Sequence, residues 1–262
     1  MKKIPIGGVN LQYNDQGRGP VILCLHAFGV PLGMWDGLED LAPDYRIVRF
    51  DARGFGGSDP GDAMLTMDRI AEDAALFIER LRLGPVILMG CSMGGYAAFS
   101  FAQKYASSLR GLILVDTRAA ADSADARKGR AELAARVMRE GSRAALDFFL
   151  PKVFGDTTRS SRADVIARLK DMMLANSPRG LSDGLHGLAA RPDSTPLLRE
   201  IAVPTLVICG EEDAITPRAD ALIMANGIKG AELTMIPRAG HLPSMETPEE
   251  FNAALRPFLR RF

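Results

Sequence analysis

A serine stands among glycines in the segment Gly90-Cys91-Ser92-Met93-Gly94-Gly95. An apolar run typical of a buried strand precedes the segment, and a helical pattern follows it. Glycines two residues either side of a serine let strand and helix backbones approach closely, and the sharp turn between them lifts the hydroxyl clear. A glycine-rich turn without a role in catalysis has the same bare pattern, but the strand before and the helix after favour Ser92 as a nucleophile.

A serine hydroxyl is a poor nucleophile until a base takes its proton, and the chain offers three histidines. His241 follows the last apolar run, which predicts it at the same sheet edge as Ser92. His26 also ends an apolar run, but we interpret its ring as pinning the loop that follows. His186 lies in a helical stretch and is interpreted as a partly exposed side chain. His241 is therefore the predicted base.

The base needs a carboxylate that fixes its tautomer and stabilises the imidazolium. Two acids follow apolar runs and stand between Ser92 and His241 in the chain, Asp213 and Asp116. We favour Asp213, because its loop neighbours His241 along the predicted sheet, and Asp116 is the alternative. Glu211 and Glu212 flank Asp213, but a loop this tight can aim only one carboxylate inward.

These three side chains would perform acyl transfer, which also needs donors for the oxyanion. One predicted donor is the N–H of Met93, the residue after the nucleophile. The other is the N–H of Phe28, in the loop after the strand at 21–25, with Ala27 as the fallback.

Short apolar runs alternate with helical patterns, which predicts a mostly parallel eight-stranded sheet flanked by helices. The expected strands are 2–6, 9–14, 21–25, 46–50, 85–89, 112–115, 205–209 and 232–236, the first two forming an antiparallel hairpin at one edge. The expected helices on the sheet are 67–81, 94–104, 218–226 and 248–261.

The alternation stops between Asp116 and Pro204, where about four helices are expected, at 126–140, 143–153, 161–176 and 179–190. We expect a core of residues 1–117 and 203–262 and a helical cap of residues 118–202. The cap would lie over the carboxyl ends of the strands, where open α/β sheets bind ligands.

Two other segments have structural interpretations. The glycine-rich stretch 50–59 lacks the spacing of a phosphate loop, and we interpret it as a loop whose backbone groups are satisfied by Asp51 and Arg53. Met172 and Met173 either face the cleft or pack within the cap.

The composition excludes several classes of function. Basic and acidic residues are equal at 32 each, which favours neither nucleic acid nor an anionic membrane, and no run approaches a membrane span. Three scattered cysteines, each in or beside a predicted strand, indicate free thiols in a reducing compartment, and their spacing fits no metal site. We expect a cytoplasmic protein.

The segments 25–29, 51–58, 90–95, 210–217 and 239–241 together resemble the α/β-hydrolase superfamily over nearly the full length. Within it, the chain is similar to bacterial small carboxylesterases, 3-oxoadipate enol-lactonases and cofactor-free haloperoxidases, and 114–119 and 191–195 resemble the esterase members. Ala27 departs from the glycine usual in the family. Ser92 argues against haloalkane dehalogenases and epoxide hydrolases, which have aspartate there.

The residues and the resemblance together imply a serine carboxylesterase that cleaves small short-chain esters through an acyl-enzyme, with no metal or organic cofactor. Its expected partner is a small-molecule ester, with no nucleic acid and no membrane, and the expected state is a monomer or small homo-oligomer. The alternatives are a lactonase or a C–C bond hydrolase with the same triad and, from another class, a non-catalytic ligand-binding protein on this fold.

Overall fold

The apolar runs of the chain lie side by side in one eight-stranded sheet. A computed structural model describes residues 1–62 and 64–262. The strands are β1 (Lys2–Ile6), β2 (Val9–Gln16), β3 (Val21–Leu25), β4 (Arg46–Phe50), β5 (Val86–Cys91), β6 (Leu109–Val115), β7 (Thr205–Gly210) and β8 (Glu232–Ile236). Their order across the sheet is β1-β2-β4-β3-β5-β6-β7-β8.

The direction of the strands follows the prediction. β1 pairs with β2, and β2 with β4, in antiparallel fashion, so the hairpin occupies one edge as expected. β3 to β8 run parallel to one another. Parallel strands place their carboxyl ends at one edge of the sheet, so the loops after β3 to β8 meet there.

Helices cover the sheet where the periodicity predicts them. They are α1 (Met67–Leu81), α2 (Met93–Lys104), α8 (Arg218–Gly227), a short α9 (Pro243–Glu246) and α10 (Pro248–Leu259). α1 begins at Thr66, whose side chain accepts a hydrogen bond from the Arg69 N–H, and it buries Ile70, Ala74 and Phe77 on one face. Short 3₁₀ helices occupy Leu32–Leu41, Ala106–Ser108 and Thr195–Glu200.

The segment between β6 and β7 is helical, as predicted, but it divides differently. The described chain there forms α3 (Ala124–Glu140), α4 (Arg143–Val153), α5 (Asp156–Ser161), α6 (Ala163–Leu174) and α7 (Pro178–Ala190). The helix expected over 161–176 corresponds to α6, and the short α5 before it was not predicted. α5 ends at Ser161, and Arg162 leaves the helical region with φ −123° and ψ 63°, so α6 begins only at Ala163. The Ser160 and Ser161 hydroxyls bond the Thr157 carbonyl, a local competition that favours helix ends. The division into a core and a cap of residues 118–202 stays a prediction.

The glycine-rich loop after β4 is held as predicted by Asp51 but not by Arg53. The Asp51 carboxylate accepts hydrogen bonds from the N–H groups of Leu32 (2.7 Å) and Gly57 (3.0 Å). The Arg53 guanidinium instead pairs with Asp73 at 2.6 Å and donates to the Gly7 carbonyl at 3.0 Å. Arg53 therefore ties the loop to α1 and to the β1–β2 hairpin, and it satisfies no backbone group of its own loop.

No helix within residues 1–62 and 64–262 combines the length and the apolar character that a membrane crossing requires.

Candidate active site

Ser92 occupies a strained turn between β5 and α2. Its φ is +51°, a conformation that residues other than glycine rarely adopt. A side chain at position 90 would collide with the Gly94 carbonyl, and one at position 94 would collide with the Leu25 carbonyl. The two glycines are therefore required by the close approach of β5, α2 and β3, and the sequence interpretation of this turn agrees with its geometry.

The Ser92 backbone is anchored to the neighbouring strand. Its N–H donates to the Val115 carbonyl at 3.0 Å, and its carbonyl accepts from the Thr117 hydroxyl at 2.9 Å. Both partners lie at the carboxyl end of β6, so β6 fixes the turn that presents the hydroxyl.

His241 follows β8 and is 4% exposed. Its Nδ1 lies 2.9 Å from Oδ2 of Asp213 and 3.3 Å from the Thr216 hydroxyl. An ionised carboxylate can only accept, so Nδ1 carries a proton, and Nε2 is the nitrogen that can gain or release one. This is the tautomer that a general base for Ser92 requires.

Asp213 is surrounded by donors. Oδ1 accepts from the N–H groups of Ile215 (2.7 Å) and Thr216 (3.2 Å), and Oδ2 accepts from the Thr216 hydroxyl at 2.6 Å. Burial alone would raise the pKa of this carboxyl, but the charge of His241 and the hydrogen bonds hold its pKa well below the ordinary value. Asp213 therefore stays ionised beside the imidazole.

Asp116, the alternative acid, is placed differently. Its Oδ1 accepts from the Gly210 N–H at 2.8 Å, while its buried Oδ2 finds no partner in the described chain. Burial, and then the charge of Asp213, raise the pKa of Asp116 well above its ordinary value. Of the two acids that the sequence left open, only Asp213 bonds His241 within the described residues.

Asp116, Cys209 and Asp213 bring their ligand atoms within 4.8 Å of one another, which raises the question of a metal. A metal needs a thiolate and carboxylates without protons. Burial raises the pKa of both Cys209 and Asp116, and Asp213 already binds His241 and Thr216. The cluster suits a network of protonated groups around one carboxylate better than a cation site.

In the loop after β3, the hydrogen bonds distinguish between the two candidate oxyanion donors, the N–H groups of Ala27 and Phe28. The Ala27 N–H donates to Sδ of Met34 at 3.2 Å, so it is occupied. The Phe28 N–H has no acceptor among the described residues. His26 holds the loop as expected: Nδ1 lies 2.8 Å from the Ala27 carbonyl, and Nε2 accepts from the Ala52 N–H at 2.9 Å. Met93 is the first residue of α2, where helix geometry leaves an N–H unpaired.

Ser92, His241 and Phe28 line one cavity of about 180 Å³. No hydrogen bond joins the Ser92 hydroxyl to the His241 ring within the described chain, and the two residues meet as walls of this cavity. The apolar part of the wall comes mostly from the inserted helices and the loops after the strands, and includes Val30, Phe149, Val153, Met173, Leu188, Ile215 and Leu242. Met173 thus faces the cavity, whereas Met172 does not line it.

The cavity also has charged walls that the sequence interpretation missed: Arg118, Asp122 and Arg130. The Asp122 side chain is 6% exposed and bonds both Arg130 and Arg191. Arg130 lies on α3, a helix whose many charges are typical of a solvated face, and only its place in the cavity wall shows that it turns inward.

The remaining candidates lie outside the cavity. His186 is exposed on α7. Glu212 points towards the inserted helices and bonds the N–H and the hydroxyl of Thr157, at 2.9 and 2.6 Å. Neither reaches Ser92 or His241.

Comparison with known proteins agrees with the fold. A family model described as the alpha/beta hydrolase fold matches residues 20–248. A thermophilic esterase from Thermogutta terrifontis, solved with malate bound, is 38% identical with a TM-score of 0.97, and the match covers 100% of this chain and 99% of that one. The enol-lactonase from Burkholderia xenovorans LB400 is 26% identical with a TM-score of 0.92, covering 99% and 100% of the two chains. A protein named as a putative 2-succinyl-6-hydroxy-2,4-cyclohexadiene-1-carboxylate synthase in Bacillus subtilis is 28% identical, covering 96% of this chain and 95% of that protein.

Proposed function

The chain belongs to the α/β-hydrolase fold family, and from this premise we propose that it is a serine carboxylesterase acting on small, short-chain carboxylic esters. The observation that carries the proposal is the contact of the ionised Asp213 with His241, which lines the same cavity as Ser92. That contact orients the ring and leaves Nε2 free to accept a proton.

The proposed reaction has two halves. His241 takes the proton of Ser92 as the hydroxyl attacks the ester carbonyl, and the N–H groups of Phe28 and Met93 hold the oxyanion. The alcohol leaves with the proton from His241, and water, activated by the same ring, releases the acid from Ser92. The small cavity of about 180 Å³ supports short chains over long ones.

The test is hydrolysis of p-nitrophenyl acetate, butyrate and decanoate, together with labelling by a fluorophosphonate probe. We expect the two short esters to be cleaved faster than the decanoate, and Ser92→Ala to abolish both turnover and labelling. Ser107→Ala, at an exposed position, is the matched control and should behave as the wild type. A wild-type protein that neither turns over these esters above the buffer rate nor takes the label would favour a non-catalytic ligand-binding role.

An enol-lactonase is the second candidate, because a relative of that name covers this chain from end to end. The same attack by Ser92 opens a cyclic enol ester, and a C–C bond hydrolase would use the same three side chains. Parallel assays with an enol-lactone and its open-chain methyl ester separate these activities: a ratio of kcat/KM that favours the lactone by orders of magnitude would replace the carboxylesterase proposal.

A further inference from the structure

A second cavity, of about 300 Å³, adjoins the one that Ser92 lines. We call the cavity at Ser92 the inner compartment and the second cavity the outer compartment. Four residues line both: Ala126, Arg130, Phe149 and Ile215. Phe148, in the wall of the outer compartment, is 41% exposed, so this compartment lies towards the surface. These four side chains stand between the two compartments, so a substrate with its ester group at Ser92 reaches the outer compartment only by passing them.

The outer compartment has an unbalanced charge. Its walls include Arg130 and Lys152 and no acidic residue, and the rest of the lining is Ala126, Gly129, Leu133, Phe148, Phe149, Leu185, Ala214 and Ile215. Two cations among small and apolar side chains attract an anion more strongly than they would in water.

Lys152 has no carboxylate partner among the described residues. Its ammonium lies over the Phe148 ring, 3.5 Å from the centroid, and 5.6 Å from that of Phe149. The two rings stabilise the ammonium charge less than water or a carboxylate would. Burial first, and then the charge of Arg130, lower the pKa of Lys152. An anion in the compartment would relieve both effects.

Arg130 is only partly neutralised. Its partner, Asp122, is shared with the buried Arg191, whose guanidinium lies 2.7 Å away. One carboxylate thus balances two guanidinium groups. With Lys152 counted, the two cations that face the outer compartment bring more positive charge than Asp122 can cancel.

We propose that Lys152 and Arg130 bind a carboxylate carried by the substrate, so that the enzyme prefers short esters with a free acid group at the end that lies in the outer compartment. Arg130 stands in the wall between the two compartments, whereas Lys152 lines only the outer compartment. A carboxylate held there would fix the distance from the acid group to the ester carbonyl at Ser92. The inference rests on the proposed function and names its substrate class.

The kinetic test compares each anionic ester with its neutral methylated form. Monomethyl glutarate against dimethyl glutarate carries the charge on the acyl side, and acetoxyacetate against methyl acetoxyacetate carries it on the alcohol side. We expect kcat/KM to favour the anionic member of at least one pair by about tenfold, the size of one charge-assisted contact at a partly exposed site. High salt should reduce the preference.

The variant Lys152→Met should bring the ratio of kcat/KM for the anionic ester to kcat/KM for its neutral form close to one, and Lys152→Glu should reverse the preference. Lys128→Gln is the matched control, since Lys128 lies on α3 with its side chain 78% exposed. Equal kcat/KM for both members of both pairs, or a preference that survives Lys152→Met, overturns the inference.

A binding measurement separates this inference from the proposed function. Glutarate should bind the Ser92→Ala protein in calorimetry and bind the Ser92→Ala/Lys152→Met protein about tenfold more weakly. If no ester is turned over but glutarate still binds in a Lys152-dependent way, the function fails and the anion site stands. If esters are cleaved but glutarate binds both proteins equally, the anion site fails and the function stands.

Discussion

The backbone N–H of His241 donates to the carbonyl oxygen of Val153 at 3.0 Å. Val153 is the last residue of α4, in the helical segment inserted between β6 and β7, whereas His241 belongs to the loop after β8. The inserted helices therefore do more than cover the cavity. They supply one of the anchors that hold the imidazole in place.

A buried carboxylate strengthens the same junction. Glu246, 2% exposed, accepts hydrogen bonds from the N–H of Leu242 through Oε1 and from the N–H of Gly155 through Oε2, both at 2.9 Å. One bond lies beside His241 and the other beside Val153. Glu246 is thus a positioning residue, which acts on the base through its loop.

Glu246→Gln should destabilise the protein and slow turnover, because an amide can accept only one of these two hydrogen bonds and turns a donor towards the other. We expect the free energy of unfolding in urea to fall by about 1–3 kcal/mol, the cost of an unsatisfied buried donor. For a neutral ester, kcat should fall severalfold with little change in KM, because the imidazole shifts while the cavity does not. Glu249→Gln, on the exposed side of α10, is the control. A Glu246 variant with wild-type stability and kcat would show that the junction does not position His241.

The sequence predicted the parts of this site that local rules determine. The turn at Ser92 needs two glycines, and Asp213 and His241 need only to follow consecutive strands of a parallel sheet. Glu246, Val153 and Arg130 escaped prediction because their roles depend on how the inserted helices pack against the strand loops. Arg53 was misassigned for the same reason, since its partners Asp73 and Gly7 come from elements distant along the chain.

Replacement by asparagine should affect kcat very differently at Asp213 and at Asp116. Asp213→Asn removes the charge beside the ring and favours the wrong tautomer, so kcat should fall by about 10³–10⁴. Burial and the charge of Asp213 raise the pKa of Asp116, which favours its neutral form, and asparagine keeps an oxygen for the Gly210 N–H, so Asp116→Asn should retain kcat within a few fold. Initial rates on a short p-nitrophenyl ester, with circular dichroism as a check of folding, measure both. A larger decrease in kcat for Asp116→Asn than for Asp213→Asn would mean that Asp116, and not Asp213, is the acid that supports His241.

The stability of Asp116→Asn relative to the wild type should depend on pH. A raised pKa means that folded Asp116 holds a proton which the unfolded chain releases once the pH exceeds the ordinary value of 3.8. The contribution of Asp116 to the free energy of unfolding therefore falls as the pH rises above 3.8, whereas the contribution of an asparagine at this position does not change. In urea unfolding between pH 4 and 8, the free energy of unfolding of Asp116→Asn should increase relative to that of the wild type as the pH rises. A difference that is constant with pH would mean that Asp116 is ionised in the folded protein.

The three thiols should be unreactive in the folded protein, although Cys91 adjoins the nucleophile. Cys24, Cys91 and Cys209 are all buried, and the Cys91 sulfur faces the His241 carbonyl at 3.7 Å. Burial, partly offset by Arg49, raises the pKa of Cys24 to about 12, and burial raises the pKa of Cys91 well above its ordinary value. Thiolates, which are the reactive species, are therefore scarce.

Iodoacetamide at pH 8 should leave the native protein unmodified and add three groups after unfolding in guanidinium, as counted by intact mass. Fluorophosphonate labelling of Ser92 in the same sample is the control, because it shows that small reagents reach the cavity. Rapid alkylation of Cys91 in the native state would place its sulfur in the cavity wall and would require a different turn at Ser92.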